Sequence, residues 1–491
     1  MSKVYLVGAG PGDPELITVK GRRVLGLADA VLYDHLANED LLDLAPARAE
    51  RIYVGKKKSD HAFAQEEITR MMIERARVGK TVVRLKGGDP FIFGRGGEEV
   101  EALEEAGVAF EVVPGVTAPL GIAAYSGVPL THREHTSVVT MLTGHDPQQI
   151  DWNKVSGSET LVIYMGLTHI GEIVERLIAC GRSPSTPAIA VRWGTRPEQE
   201  TVAASLSELA GAVAKVGLKP PATVIIGDVV GLRTKLNWYE RLPLFGQRIV
   251  VTRAREQAGE LSSRLRALGA AVVECPAIAI VPASDYGPLD AAIARLADYD
   301  WLVFTSVNGV RYFLERLDCS AGDWRSLRAR ICAIGPGTRV AIERLHLKVD
   351  LMPREYVAES LVEAFAVEDL TGKRVLLPRA AVARDVIPLE LEKRGAAVDV
   401  VEAYRTELPE FAHEYAREAF SAKPDWITLT SASTARNLLA IAGRQVLEGV
   451  KVASIGPVTS EAARRIGLAV TVEAREYTVD GLVAAVLGGG L

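Results

Sequence analysis

The stretch VRLKGGDPFIFGRGGEE, residues 83–99, decides how the first half of this chain folds. It begins as a short apolar strand and ends on the acidic first turn of a predicted helix. The intervening glycines permit positive φ and close approach of the main chain to a ligand, and Asp89-Pro90 sets an extended, then turned path. The stretch therefore predicts a ligand-cradling loop at a strand end, with a plain glycine-rich connection as the alternative.

Strands and helices alternate on both sides of this loop. Apolar strands are predicted at 4–7, 30–33, 51–54, 81–85 and 109–113, and helices at 16–27, 65–77 and 98–105. Such alternation indicates an α/β fold with a mostly parallel sheet. The glycines of GAGPGDP, residues 8–14, do not have the dinucleotide-binding spacing, because two prolines interrupt them. A second α/β unit is predicted from the strand at 137–143 to about residue 232.

Polar residues follow several of these strands. Asp34 follows the second strand and Lys56 follows the third. In open α/β sheets, ligands bind at the carboxyl ends of the strands. Asp34 could instead cap a helix, and Lys56 could belong to a solvated run of charge.

Composition limits the classes of partner. The chain has 491 residues, 48% hydrophobic and 24% charged, with a formal net charge of -5. A balance this close to neutral does not favour nucleic acid or an anionic membrane surface. The four cysteines form no CxxC pair, so we expect reduced thiols and no metal site. The sequence opens on a strand and not on a basic and apolar leader, so we expect a cytoplasmic protein.

The second half contains an internal repeat. GQRIVVTR at 246–253 returns as GKRVLLPR at 372–379, WLVFTS at 301–306 as WITLTS at 426–431, and AIGPGT at 333–338 as SIGPVT at 454–459. Even Arg-Glu-Tyr at 354–356 recurs at 475–477. The repeat predicts two similar α/β lobes with facing loops, and hence a cleft. The boundary with the first half falls between residues 232 and 246, where no long flexible tract occurs.

Eight motifs of the first half resemble uroporphyrinogen-III C-methyltransferase of the tetrapyrrole methylase family. They are GAGPGDP (8–14), LYDHL (32–36), VGK (54–56), VRLKGGDPFIFGRGGEE (83–99), VVPGVTA (112–118), GVPLTHR (127–133), TGH (143–145) and YMG (164–166). The resemblance covers residues 1–241, with subdomains of about 1–133 and 134–241. It implies a homodimer that transfers two methyl groups from S-adenosylmethionine to uroporphyrinogen III and gives precorrin-2.

The same resemblance implies roles for individual residues. Asp34 would accept a proton and Lys56 would donate one. The methyl donor would lie in a trough between the subdomains, in contact with Pro11, Gly87, Gly88, Asp89, Ile92, Thr117, Ala118, Met165 and Gly194. Bidentate pairing and ammonium contacts suit the many carboxylates of the substrate, and the candidates are Arg84, Lys86, Arg95 and Arg133.

The second half, from about residue 245 to 491, resembles uroporphyrinogen-III synthase. That family implies two flavodoxin-like domains, here about 246–281 plus 409–491 and about 282–406, which close hydroxymethylbilane to uroporphyrinogen III with inversion of the last ring. Tyr404, in the motif AYRT, matches the tyrosine of that family and would help the leaving hydroxide depart. Residues expected to line the cleft are Thr305, Ser306, Thr338, Thr430, Ser431 and Thr459.

Together the two resemblances predict a bifunctional enzyme whose second half makes the substrate of the first. Two alternatives stay open. The methylase could act on another tetrapyrrole or on a diphthine precursor, or the second half could be a non-catalytic module that binds a tetrapyrrole. Whether the product feeds sirohaem or cobalamin is open from the sequence.

Overall fold

The computed structural model describes residues 2–55 and 64–489, with the backbone alone at 255–257. The chain forms two compact units, Met1–Gly246 and Gln247–Leu491. Each contains two five-stranded sheets with helices packed against them. Among the described residues, no helix is long and apolar enough to cross a membrane.

The first unit begins with an all-parallel sheet in the order β3-β2-β4-β1-β5. Its strands are β1 (Val4–Gly8), β2 (Ala30–Tyr33), β3 (Glu50–Tyr53), β4 (Val82–Lys86) and β5 (Phe110–Val113). Its helices are α1 (Val19–Leu25), α2 (Gln65–Arg77), α3 (Gly96–Glu105) and α4 (Ala118–Ser126). Side chains alternate across the sheet, so Leu6 and Leu32 enter one core while Val7 and Val31 enter another.

Helix α2 confirms the predicted bounds, but the first predicted helix, 16–27, is wrong in extent. Residues Pro14–Leu16 form a 3₁₀ turn, capped by the Asp13 side chain, which accepts from the amide of Glu15. Helix α1 then starts afresh, because the Thr18 hydroxyl accepts from the amide of Gly21 at 3.0 Å. Two caps in succession split one apolar-periodic stretch into two elements.

The second sheet of this unit is mixed, in the order β6-β7-β10-β8-β9. It comprises β6 (Val139–Thr143), β7 (Thr160–Tyr164), β8 (Pro187–Arg192), β9 (Glu200–Ser205) and β10 (Ala222–Ile226), with α5 (Trp152–Val155), α6 (Ile170–Ala179), α7 (Leu206–Val216) and α8 (Arg233–Leu236). Only β6 and β7 pair in parallel. The mostly parallel arrangement therefore holds for the first sheet and not for the second, since a short loop joins β8 to β9 as a hairpin.

The second unit also contains two sheets, in the orders β12-β11-β18-β19-β20 and β13-β17-β16-β14-β15. The strands are β11 (Arg248–Val251), β12 (Ala271–Glu274), β13 (Ala279–Pro282), β14 (Trp301–Phe304), β15 (Arg330–Ala333), β16 (Arg374–Ala380), β17 (Ala397–Glu407), β18 (Trp426–Leu429), β19 (Lys451–Ser454) and β20 (Val472–Glu473). All pairs are parallel except β13 with β17. The first of these sheets draws strands from both ends of the unit, and the second draws them from its middle.

Helices cover both sheets of the second unit. They are α9 (Arg255–Ala267), α10 (Gly287–Ala294), α11 (Val307–Cys319), α12 (Pro336–Glu343), α13 (Ala358–Ala364), α14 (Val386–Lys393), α15 (Ala412–Ala419), α16 (Ala432–Ala442), α17 (Arg444–Leu447), α18 (Pro457–Arg465) and α19 (Val479–Gly488). The repeated segments WLVFTS and WITLTS both end at the amino end of a helix, α11 and α16. The repeat in the sequence is thus a repeat in structure.

Candidate functional site

Three glycines bring together the carboxyl ends of β1, β4 and β5. A Cβ atom built on Gly115 would lie 2.3 Å from the carbonyl oxygen of Gly88 and 2.7 Å from the Cα of Gly8. Gly88 has φ of 68° and exchanges backbone hydrogen bonds of 3.2 and 2.7 Å with Gly10. Side chains at these positions would separate the strand ends, so the glycines keep exposed backbone close around one point.

Asp89 fixes the loop that follows. One carboxylate oxygen accepts from the amide of Gly115 at 3.0 Å, and the other accepts from the amide of Phe91 at 2.8 Å. The neighbouring Gly87 packs so closely that an added Cβ would lie 2.5 Å from the Cβ of Leu36. Asp89 thus ties the glycine loop to Gly115 in the loop after β5, which sequence reasoning alone did not foresee.

An apolar surface borders these glycines. Ile92 and Met165 are 41% and 50% exposed, and Phe93 lies 4.8 Å, centroid to centroid, from the ring of Tyr164. Phe93 and Met165 both have positive φ, 51° and 52°. Strained backbone and exposed apolar side chains in one place are typical of a ligand-binding site.

Contacts between the two subdomains of this unit bring the remaining predicted donor residues to the same place. The Thr117 hydroxyl and the Tyr164 hydroxyl are 2.8 Å apart, and Ala118 begins α4 directly after Thr117. A Cβ on Gly194 would lie 2.2 Å from Ile122 Cγ1, and Pro11 packs against Gly121 of the same helix. Helix α4 therefore packs against both the Pro11 and the Gly194 loops. Tyr164, which the sequence indicated only as part of the YMG motif and not as a site residue, joins the subdomains.

Asp34 lies at the end of β2 in a network of hydrogen bonds. One of its carboxylate oxygens accepts from Arg84 Nη2 at 2.9 Å, and the other accepts from the amide of Leu36 at 3.1 Å. The side chain of Asp34 keeps 21% of its surface exposed. A carboxylate with a fixed position and an open side can accept a proton. Lys56, the predicted proton donor, lies outside the described residues.

The structure corrects the expectation that Arg84 and Lys86 meet substrate carboxylates. Both belong to the buried central strand β4, are only 4% and 5% exposed, and pair with Glu99, which is fully buried. Burial, and next the nearby Arg84 charge, lower the pKa of Lys86 below its ordinary value, against the opposing effect of Glu99. These cations are part of the interior and are not available at the surface.

Arg95 and Arg133 are exposed. Arg95, with φ of 58°, precedes α3 and pairs with Glu98 at 2.5 Å, and this pairing raises the pKa of Arg95. Arg133 lies on the turn from His132 to Thr136, which is closed by backbone hydrogen bonds of 2.9 and 3.1 Å between those two residues. These two guanidinium groups remain candidates for substrate carboxylates.

In the second unit, Tyr404 on β17 is buried to 8% exposure and points to Ser306. The two hydroxyl oxygens are 3.0 Å apart, and the ring of Tyr404 stacks on that of Tyr312 with centroids 5.9 Å apart. Burial raises the pKa of Tyr404, and the hydrogen bonds to Ser306 and Asn308 oppose that effect. The phenol therefore stays protonated and can donate a proton.

The other predicted cleft residues occupy equivalent positions in the two repeats. Ser306 caps the amino end of α11 and accepts from the amide of Gly309 at 2.9 Å, while Ser431 caps the amino end of α16 and accepts from the amide of Thr434 at 3.1 Å. Thr305 and Thr430 each precede these serines. Thr338 and Thr459, in contrast, are buried to 5% exposure in the first turns of α12 and α18, so their side chains serve packing more than contact with a ligand.

Comparison with known proteins gives the family. Residues 3–210 match the family model "Tetrapyrrole (Corrin/Porphyrin) Methylases", and residues 259–484 match "Uroporphyrinogen-III synthase HemD". Over 496 aligned residues the chain is 36% identical to "Porphyrin biosynthesis protein HemD" of Ruminiclostridium josui, covering 99% of this chain and 98% of the relative. The chain belongs to this family of fused tetrapyrrole methylases and uroporphyrinogen-III synthases.

Other relatives match parts of this fused protein. The "Uroporphyrinogen-III C-methyltransferase" of Bacillus subtilis is 38% identical over 348 residues, 70% of this chain and 71% of the relative. The "Siroheme synthase" of Chromobacterium violaceum is 49% identical over 242 residues, and the chain spans about half, 52%, of its length. A solved uroporphyrin-III C-methyl transferase from Thermus thermophilus, complexed with S-adenyl homocysteine, is 45% identical, covering 47% of this chain and 100% of that chain with a TM-score of 0.42.

Proposed function

We propose that this chain is a bifunctional enzyme of tetrapyrrole biosynthesis. Its second unit closes hydroxymethylbilane to uroporphyrinogen III, and its first unit methylates that product twice to give precorrin-2. The observation that carries the proposal is the convergence of the Gly8, Gly88 and Gly115 strand ends with Thr117, Tyr164 and Met165 around an exposed apolar surface. Membership of the fused family supports the pairing of the two activities.

The donor site suits S-adenosylmethionine, which supplies an electrophilic methyl group on a sulfonium. Close-packed glycines expose backbone amides and carbonyls to the polar ends of such a molecule. Met165 and Ile92 provide an apolar, polarisable surface for the methylene groups beside its sulfonium. Asp89 uses both oxygens on backbone amides and still adds negative charge beside a cationic ligand. The donor contacts predicted from the sequence are therefore kept as the proposed site.

Methyl transfer to a pyrrole carbon requires that the macrocycle lose a proton afterwards. Asp34 is the proposed acceptor, because Arg84 and the Leu36 amide hold its carboxylate while its outer side stays open. The guanidinium groups of Arg95 and Arg133 would hold the substrate carboxylates. Positioning of the two reactants supplies most of the rate. Lys56 remains the predicted proton donor.

Cyclisation in the second unit requires that hydroxide leave the linear substrate. Tyr404 is the proposed proton donor for that step. Ser306 can accept from the Gly309 amide and donate its own proton to the Tyr404 oxygen, which leaves the phenol proton free for the substrate. That arrangement also stabilises the phenolate which forms when the proton is given up. Loss of water leaves an azafulvene cation, which then closes the ring.

We also infer that the chain pairs with a second copy through the first unit. A groove of about 600 Å³ between α4 and the edge strand β6 is lined by Leu120, Ala123, Ala124, Gly127, Pro129, Leu130, Thr131, Val139, Met141 and Leu236. Leu120 is 50% exposed and Met141 is 36% exposed. Apolar grooves beside an edge strand are usually covered. Light scattering on wild-type protein and a Leu120→Glu variant tests this, and a monomeric wild type would contradict it.

The bifunctional assignment is tested with the purified full-length chain. Given hydroxymethylbilane alone, it should release uroporphyrinogen III, and with S-adenosylmethionine added it should release a dimethylated product. A chain that binds hydroxymethylbilane without closing it would show the second unit to be a binding module. Closure followed by no methylation would reject the first activity. Gly87→Leu should stop methylation and leave closure unchanged.

A further inference from the structure

Four charged side chains form one cluster inside the first unit, between β2, β4 and α3. Glu99 Oε1 accepts from Lys86 Nζ at 3.0 Å and from Arg84 Nε at 3.4 Å, and Arg84 Nη2 donates to Asp34 at 2.9 Å. Gln65 Nε2 also donates to Glu99 Oε1, at 2.8 Å. The chain of contacts leads from a fully buried carboxylate to the proposed proton acceptor.

The cluster is balanced in charge. Two cations, Arg84 and Lys86, face two carboxylates, Asp34 and Glu99, and every member except Asp34 is at most 5% exposed. Buried charge is costly unless it is compensated and hydrogen-bonded. Removing one member leaves an uncompensated charge that acts on the others. Glu99 carries half of the negative charge and does not itself touch the trough.

Arg84 transmits the effect of Glu99. Its Nη1 donates to the carbonyl oxygens of Leu85 and Leu32, at 3.0 and 3.4 Å, so the guanidinium is fixed both to β4 and to β2, the strand that Asp34 follows. With Nε on Glu99 and Nη2 on Asp34, the guanidinium uses all three of its nitrogens. The orientation of Asp34 thus depends on Arg84, and that of Arg84 depends on Glu99.

We propose that Glu99 is a positioning residue for methyl transfer, which holds the Asp34 carboxylate in place and balances its surroundings through Arg84. This inference rests on the proposed function, in which Asp34 accepts the proton. When Gln replaces Glu99, Arg84 Nε loses its carboxylate partner. The guanidinium then holds the Asp34 carboxylate less firmly, so proton removal from the macrocycle slows.

Other ionisable groups near the cluster would change little with this replacement. Tyr53 of β3 faces Asp34, and burial, followed by the Asp34 charge, raises the pKa of Tyr53. Glu98 of α3 acts on Lys86 from the surface, and its pKa is lowered chiefly by the hydrogen bond from Arg95. Neither group bonds to Arg84 or Glu99 in the described part of the chain.

The test measures methylation of uroporphyrinogen III by the full-length Glu99→Gln variant across a range of pH. We expect kcat to fall by about 10–100-fold, the effect of small misplacement of a reacting group. The KM for uroporphyrinogen III, cyclisation and the affinity for S-adenosylhomocysteine should stay unchanged. A double variant, Glu99→Gln with Lys86→Met, restores charge balance but should keep the reduced kcat, because Arg84 still lacks the Glu99 carboxylate.

Glu50→Gln is the matched control, because it breaks a partly exposed pair with Arg75 in the same unit. Glu50 begins β3, whereas Asp34 follows the end of the neighbouring β2. Glu50→Gln should leave both kcat and the pH profile unchanged. Asp34→Asn tests the proposed proton acceptor separately from the role of Glu99. If Asp34→Asn methylates normally, the proposed proton acceptor is wrong.

If Asp34→Asn is inactive but Glu99→Gln has wild-type kcat, the role of Glu99 is refuted while the proposed function stands. If the Glu99→Gln protein fails to bind S-adenosylhomocysteine, the charge-balanced double variant replaces it. Wild-type kcat in the double variant also refutes the inference.

Discussion

Replacement of Gly115 by alanine tests the close packing of strand ends on which the methylase site depends. The new methyl carbon would lie 2.3 Å from the Gly88 oxygen and 2.7 Å from the Gly8 Cα, and both are backbone atoms that cannot rotate away. Overpacking of this kind costs about 1–3 kcal/mol. For a unit of this size about 1 kcal/mol lowers Tm by roughly 2–4 °C, so we expect a fall of about 2–12 °C.

Gly211 provides a control with the same chemical change and the opposite sign. It lies inside α7, and a Cβ built on it would meet no atom within 4 Å. Alanine there should stabilise the same unit by about 0.5–1 kcal/mol, since glycine disfavours a helix interior. Calorimetry on the full-length chain measures both variants, and the transition of the first unit is identified by its shift with S-adenosylhomocysteine.

Activity measurements on the same preparations complete this test. Gly115→Ala should reduce donor affinity and methylation and leave cyclisation at its wild-type rate, while Gly211→Ala should change neither. Wild-type Tm and donor affinity in Gly115→Ala would refute the packing argument. A parallel loss of cyclisation would refute the assignment of the two activities to separate units.

Three further substitutions give separate predictions. Tyr404→Phe should slow cyclisation about 100-fold and remove an alkaline limb that lies above pH 10, because burial raises the Tyr404 pKa from its ordinary 10.0; an unchanged rate–pH profile would contradict this. Asp89→Asn weakens two charge-assisted bonds, so the affinity for S-adenosylhomocysteine by titration calorimetry should fall at least about tenfold; a change below threefold would count against it. Glu50, whose pKa the Arg75 hydrogen bond lowers from 4.5 to about 2, stabilises the fold above pH 4.5, and this contribution disappears as the pH falls to about 2. In urea unfolding, the free energy of unfolding of Glu50→Gln should therefore be lower than that of the wild type by at most about 1 kcal/mol at pH 7. This difference should vanish as the pH falls from 4.5 to about 2, and a difference that stays constant with pH would contradict the prediction.

The regular elements were predictable where the apolar period was strong. Helix α2 and strand β2 have the predicted bounds. The first predicted helix failed because Asp13 and Thr18 each cap a separate element, and side-chain caps act locally against the apolar period. The prediction of mostly parallel pairing failed at the antiparallel β8–β9 hairpin for another reason. The spacing of strands along the sequence does not reveal how the strands pair.

The sequence predicted the glycines of the candidate site well, but it predicted the environment of the charged residues less well. Gly88 has a positive φ, and a Cβ on Gly115 would meet backbone atoms, so both positions favour glycine. The glycines that this geometry favours are visible in the sequence itself. The alternation of β4, in contrast, placed Arg84 and Lys86 on an inward face, where only the packing of α3 supplies Glu99. Tyr164 was visible only as part of the YMG motif, and its role was not, because its partner Thr117 belongs to the other subdomain. Pairing across distant segments is information that local patterns lack.

The repeated serines of the second unit show how duplication can divide labour. The Ser431 hydroxyl caps α16 and contacts Ser433 and Thr434 of the same helix, whereas the equivalent Ser306 serves as a helix cap and as the partner of a phenol on β17. Ser306 Oγ thus both caps a helix and holds the hydroxyl of Tyr404. Selection could alter the copy at Ser431 for stability alone, but any change at Ser306 affects the helix cap and the Tyr404 contact together. Among related sequences, position 306 should therefore vary less than the equivalent position 431.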